Sequence, residues 1–110
     1  MKQLLPTLRE RNRYIVFEFI SDSKFSREDI TKAIWSSALE FLGDFGLSRI
    51  SLKIIEWNTD SQRGILKVSH KSTDDIRAAL TLVKEINRIP IIFHVFGISG
   101  TLKMARKKFF

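Results

Sequence analysis

The sequence predicts an α+β fold in which two helices cover one face of an antiparallel sheet. Four segments have the two-residue alternation of strands, two have the spacing of amphipathic helices, and they follow one another in the order βαββαβ. That order is the ferredoxin-like α/β sandwich, in which the first and third strands lie at the sheet centre and the second and fourth at its edges. The 110 residues are enough for one domain with one hydrophobic core.

The first strand and the first helix are predicted from the opening third of the chain. Residues 13–21 are rich in β-branched and aromatic side chains, which favour a strand. Ser26 precedes two acids and is therefore expected to cap a helix that ends near Gly43 or Gly46. The apolar positions at helical spacing are Ile30, Ile34, Ala38, Phe41 and Leu42.

A hairpin, a second helix and a last strand follow. Residues 50–57 and 64–70 alternate on either side of a polar turn and predict the hairpin. Thr73 stands before two acids and predicts the cap of a helix whose apolar positions extend to Ile86. Residues 91–98 are apolar at nearly every position and predict the fourth strand.

Positive charge is concentrated at the two ends of the sequence. Residues 1–13 form a basic N-terminal arm with four basic residues against one acid, and residues 99–110 form a basic C-terminal tail with four basic residues and no acid. Residues 14–98 are balanced, so the formal net charge of +7 comes from the ends. A neutral body with two basic arms indicates a polyanionic ligand. The candidate RNA-binding residues are Arg9, Arg11, Arg13, Lys103, Arg106, Lys107 and Lys108.

The C-terminal tail has two interpretations. Leu102, Ala105 and Phe109 fall on one side of a helix, with the basic residues around them, so the tail is either a basic amphipathic helix or a frayed end.

Alternation assigns an unusually apolar set of side chains to the sheet face opposite the helices. The set is Tyr14, Val16, Glu18, Ile55, Trp57, Ile65 and Lys67. An RNA recognition motif has aromatic rings on its central strands for base stacking, whereas this sequence has Ile65 and Lys67 at those positions. We therefore expect protein to cover the face, either the chain's own tail or a second subunit. The candidate protein-interface residues are Val16, Ile55, Trp57 and Ile65.

Catalytic chemistry is not expected from these residues. The sequence has no cysteine, and neither His70 nor His94 has a positioned partner. The acid pairs at 28–29 and 74–75 stand where acids favour a helix dipole. We expect no catalytic residue, metal ligand or cofactor on this chain. No apolar segment has the length of a signal peptide or membrane span, so a cytoplasmic protein without membrane contact is expected.

Segments at both ends of the chain resemble those of a known family. Pro6 to Arg9, Arg13 to Glu18 and Gly97 to Lys103 are similar to the archaeal ribonuclease P protein component 2 family, which is related to a eukaryotic subunit shared with RNase MRP. The resemblance implies an RRM-like sandwich without the aromatic RNA motifs. The tail here is short for the family.

The resemblance also implies a function. The chain would be a non-catalytic subunit of ribonuclease P, the ribonucleoprotein endonuclease that removes the 5′ leader from precursor tRNA. Its partners would be ribonuclease P RNA and protein component 3, as a homodimer or a two-plus-two heterotetramer that meets precursor tRNA indirectly, while RNA-held Mg²⁺ supplies the chemistry. The alternatives are a free-standing RNA-binding module and a ferredoxin-like enzyme or effector domain.

Overall fold

A computed structural model describes the backbone of residues 11–47 and 52–109, and the side chains of 11–43 and 52–108. The elements in chain order are β1 (Asn12–Ile20), α1 (Arg27–Leu47), β2 (Lys53–Asn58), β3 (Arg63–Ser69), a 3₁₀ turn (His70–Ser72), α2 (Thr73–Thr81), β4 (Glu85–Ile86), β5 (Ile89–Pro90), β6 (Ile92–Ser99) and α3 (Leu102–Phe109). The main sheet is antiparallel with the order β2-β3-β1-β6. The predicted sandwich is therefore confirmed, with a short hairpin and a third helix added. None of the helices in the described residues is long and apolar enough to cross a membrane.

The start of α1 is fixed by a reciprocal cap, as the sequence predicts. The Asp29 backbone N–H donates to the Ser26 hydroxyl at 3.2 Å, and the Ser26 N–H donates to the Asp29 carboxylate at 3.3 Å. That Ser26 backbone N–H, together with the Asn87 side chain, lowers the pKa of Asp29 below its ordinary value of 3.8. At the other end, Gly43 has φ 74 and interrupts the helical geometry at the first of the two glycines expected to end the helix.

The second helix differs from the prediction at both ends. Thr73 is not the cap: a 3₁₀ turn comes first, and the buried Thr73 hydroxyl donates to the Ser69 carbonyl at 3.2 Å. The helix ends at Thr81, and Ile86 lies in the β4–β5 hairpin. Ile86 is still buried, so its apolar side chain reflects its place in the core and not a place in the helix.

The core fills the space between the sheet and the two helices. Phe17 and Phe19 of β1 are buried at its centre, and their rings meet edge to face at a centroid distance of 5.6 Å. Other buried members are Ile15, Phe25, Ile30, Ile34, Ala38, Leu52, Ile54, Leu66, Val68, Ile76, Leu80, Val83, Ile86 and Ile91. The predicted core position Ile50 lies outside the described residues.

A β-bulge in β2 overturns one prediction about the opposite face. Ile54 pairs with Leu66 and Glu56 with Ile65, so Ile55 is an extra residue that reverses the alternation after it. Trp57 is therefore half-buried against the core, where its ring stacks on Phe17 at 6.1 Å. Its indole N–H donates to the Phe25 carbonyl at 3.0 Å. The expectation that Trp57 lies on the open face is wrong, because strict alternation does not survive the bulge.

The cap of α1 generates a pH-dependent prediction. The folded-state pKa of Asp29 is depressed, so its charged form stabilises the fold above the ordinary pKa, and that contribution is lost as the pH falls through the lowered value. We expect Asp29→Ala to lower the melting temperature at neutral pH, and its difference from wild type to shrink as the pH falls below 3.8.

The matched control is Glu28→Ala, which removes an exposed acid from the same helical turn. Thermal unfolding followed by circular dichroism across the acid range measures both variants. An Asp29→Ala deficit that stays constant with pH would contradict this account of the cap.

Candidate nucleic-acid interface

The C-terminal tail forms a helix that lies on the second face of the sheet. Ala105 of α3 is fully buried against Val16 and Ile65, which are themselves 0% exposed. Leu102 packs at the same contact, while the side chain of Phe109 lies outside the described residues. The chain's own helix is therefore the cover on this part of the face. Half-buried Ile55 borders the contact, as expected for the open face.

Polar contacts fix both ends of α3 on the sheet. Thr101 caps α3 by accepting the Met104 N–H at 3.2 Å, and the Ser99 hydroxyl accepts the Thr101 N–H at 3.3 Å. Three residues of the last turn are basic, which suits the negative end of the helix dipole. Arg106 forms an ion pair with Glu56, the residue that the bulge in β2 brings to this side.

The predicted RNA-binding residues have different surroundings. Lys103, Lys107 and Lys108 are exposed on α3, and Arg11 is exposed before β1. The remaining three differ from these: Arg106 is paired as above, Arg9 lies outside the described residues, and Arg13 is half-buried with its guanidinium donating to the Asn12 carbonyl at 3.2 Å.

The first strand begins where the last strand ends, at one end of the sheet. Tyr14 pairs with Ser99, so the start of β1 lies beside the end of β6. The Arg13 guanidinium comes within 3.6 Å of the position that a side chain on Gly100 would occupy. Arg13, the last residue of the N-terminal arm, therefore lies beside the start of the C-terminal tail.

Beyond α3, a polar row crosses all four strands of the sheet. Asn58, Arg63, Glu18 and His94 are consecutive partners in the strand register. Glu18 lies 3.6 Å from the Arg63 guanidinium and 3.3 Å from the His94 ring, and Arg63 stacks on the Phe96 ring at 4.5 Å. His94 is thus exposed and paired with a carboxylate rather than enclosed in an apolar strand. The sequence contains each of these residues but does not reveal the register that joins them.

Charge is unevenly distributed between the two sides of the sheet. Among the described side chains, the side that carries α3 has seven basic residues and two acids. The basic residues are Lys53, Arg63, Lys67, Lys103, Arg106, Lys107 and Lys108, and the acids are Glu18 and Glu56. Both acids already have basic partners within the chain. This side of the protein is therefore electropositive and suited to a polyanion.

A metal-dependent active site is not visible in the described ranges. Within residues 11–43 and 52–108, no three acidic or histidine side chains converge so that they could hold a metal ion.

Comparison with known proteins finds a matching sequence family and similar archaeal proteins. A sequence model described as the Rpp14/Pop5 family matches residues 13–110. The chain is 42% identical over 108 residues to ribonuclease P protein component 2 of Thermococcus kodakarensis, covering 98% of this chain and 90% of the relative. It is 40% identical over 109 residues to the protein of the same name from Methanosarcina mazei, covering 99% and 92%.

A solved structure shares the fold. A chain in the cryo-EM structure of yeast ribonuclease MRP matches with a TM-score of 0.68 at 11% sequence identity, over 91% of this chain and 79% of that one. At that identity the match supports the α/β sandwich alone.

The packing of α3 on the sheet generates a stability prediction. Ala105→Asp would place an unpaired carboxylate over Val16 and Ile65, so α3 should detach and expose both side chains. We expect the free energy of unfolding of the isolated protein to fall by about 2 kcal/mol or more.

Urea unfolding measures this change, and Met104→Asp is the control because Met104 is 39% exposed on the same helix. If Ala105→Asp were no less stable than Met104→Asp, α3 would not be the cover of this face in solution.

Proposed function

The chain belongs to the Rpp14/Pop5 family, and from that membership we infer that it is a protein subunit of ribonuclease P. Archaeal relatives named ribonuclease P protein component 2 match it at about 40% identity over nearly its whole length, which supports this assignment. We propose that the chain assists RNA-catalysed removal of the 5′ leader from precursor tRNA and contributes no catalytic residue of its own.

The observation that carries the proposed role is the electropositive side of the sheet. In the part of the chain that the structure describes, this side has seven basic residues and two acids, and each acid is paired with a basic neighbour. Phosphate groups of RNA are the polyanion that such a surface attracts in a ribonucleoprotein. Lys103, Lys107 and Lys108, which are exposed on α3, are the proposed contacts with these phosphates.

A free-standing RNA-binding module fits less well. In an RNA recognition motif the central strands of the open face stack bases, whereas here Ala105 covers Val16 and Ile65 at that position. RNA binding through phosphate contacts within an assembly agrees better with a covered face.

Protein partners form part of the proposal. We propose protein component 3 and a second copy of this chain, in a two-plus-two assembly, as neighbours within the holoenzyme. Cross-strand partners Ile20 and Ile92 are 50% and 64% exposed, which supports contact with protein beyond the part of the face covered by α3. We also predict that the RNA holds the Mg²⁺ of the holoenzyme and that the protein is cytoplasmic.

Reconstitution tests whether the protein assists the cleavage that the RNA catalyses. We expect the pure chain to leave precursor tRNA intact, because no described residues supply a metal-dependent hydrolytic site. Adding it to ribonuclease P RNA and the remaining subunits should increase cleavage at the 5′ leader compared with the same mixture without it. Cleavage by the pure chain that a substitution in this chain abolishes would refute the non-catalytic role.

The α3 lysines are tested by the salt dependence of RNA binding. Replacing Lys103, Lys107 and Lys108 with glutamine should weaken binding of ribonuclease P RNA. It should also reduce the slope of log K against log salt by about 0.7 for each phosphate that is no longer neutralised, because fewer counterions are released.

The matched control replaces Lys24, Lys32 and Lys84, which are exposed and lie away from α3. Filter binding at several salt concentrations compares the two triple variants. Equal slopes of log K against log salt for the two triple variants would show that the α3 lysines do not contact the RNA.

A further inference from the structure

Two lysines lie directly opposite each other on the side of the sheet that carries α3. Lys53 of β2 pairs with Lys67 of β3, and Lys67 pairs in turn with Tyr14 of β1. Both strand neighbours of each lysine and Ile15 beside Tyr14 lie in the main core, and Tyr14 itself packs in the cluster under α3, so all three project to the α3 side. Lys53 is exposed, and Lys67 and Tyr14 are half-buried.

This arrangement is unfavourable in the isolated chain. Directly opposite residues of neighbouring antiparallel strands have Cβ atoms about 5 Å apart, and like charges at that position destabilise a sheet. Two other cations on this side of the sheet have acidic partners: Arg63 is paired with Glu18, and Arg106 with Glu56. Among the described side chains, no carboxylate lies within ion-pair distance of Lys53 or Lys67.

The rest of the row is also suited to negative charge. Tyr14 brings a phenolic hydroxyl, which donates a hydrogen bond, and its partner Ser99 lies just before α3. The first turn of α3 has no acid, so the positive end of its dipole is not neutralised there. With strands about 4.8 Å apart, the row from Lys53 to Ser99 extends about 14 Å.

We propose that Lys53 and Lys67, with the Tyr14 hydroxyl, bind a backbone phosphate of RNA. The inference rests on the proposed function and adds a site within the sheet, outside the two basic arms. RNA is favoured over an acidic protein because the excess of positive charge extends over this whole side, which matches a chain of phosphates better than a single carboxylate. The phosphate would neutralise the repulsion that the described side chains leave uncompensated.

The melting temperature of the protein without RNA tests whether the lysine pair repels itself and binds an anion. Lys67→Gln removes the repulsion, so at low ionic strength its melting temperature should equal or exceed that of wild type. Inorganic pyrophosphate should raise the melting temperature of wild type more than that of Lys67→Gln, because it binds the folded lysine pair. Lys32→Gln on α1 is the matched control and should respond to pyrophosphate as wild type does.

RNA binding supplies the second measurement. The Lys53→Gln and Lys67→Gln double variant should bind ribonuclease P RNA about tenfold more weakly, with a salt slope lower by about 0.7 for each phosphate that the two lysines neutralise in wild type. Tyr14→Phe should weaken binding without changing the slope, since it removes a neutral donor.

Two outcomes would overturn the site while leaving the proposed function standing. One is that wild type binds the RNA and the double variant binds with the same affinity and slope. The other is that the double variant no longer co-purifies with protein component 3 but keeps its RNA affinity, so that the lysines face an acidic protein. Failure of wild type itself to bind the RNA, alone or in the reconstituted holoenzyme, would contradict the proposed function and the site together.

Discussion

The extra residue in β2 is the constraint on which both layers of the molecule depend. In an unbroken strand, Glu56 would project into the core and Trp57 to the opposite face. With Ile55 inserted, Trp57 stacks against Phe17 in the core, and Glu56 stands where Arg106 of α3 pairs with it. One insertion therefore removes a buried charge and creates the anchor of the third helix.

The strand beside the bulge is adapted to it. Gly64 pairs with Trp57, and a Cβ at that position would come within 2.8 Å of the Phe17 ring and 2.9 Å of both the Trp57 ring and the Glu56 carbonyl. A side chain does not fit there without moving backbone as well as rings. The tryptophan is accommodated in the core because its neighbour across the strands has no side chain.

Several parts of the fold could be predicted from the sequence pattern alone. The cap at Ser26 follows from residue type and spacing, the sheet order follows from the order of the elements, and the terminal helix is one of the two interpretations that the spacing of the tail allowed. The position of Trp57 did not follow from the pattern, because a bulge is set by packing across strands rather than by the strand's own alternation. The pairing of Lys53 with Lys67 was missed for a related reason: charge counted along the chain balances over residues 14–98, while the register places these cations on one side.

The connectivity of the sheet has a kinetic consequence. β1 lies between β3 and β6, and the contact between Glu18 and His94 joins residues 76 apart in sequence. Distant strand pairing incurs its loop-closure entropy before its contacts form, so we expect local elements such as the β2–β3 hairpin to form before β6 docks. Because α3 rests on both β1 and β6, its packing site forms only when these two strands have paired. The basic side of the sheet, which includes α3, therefore exists only in chains whose first and last strands have paired.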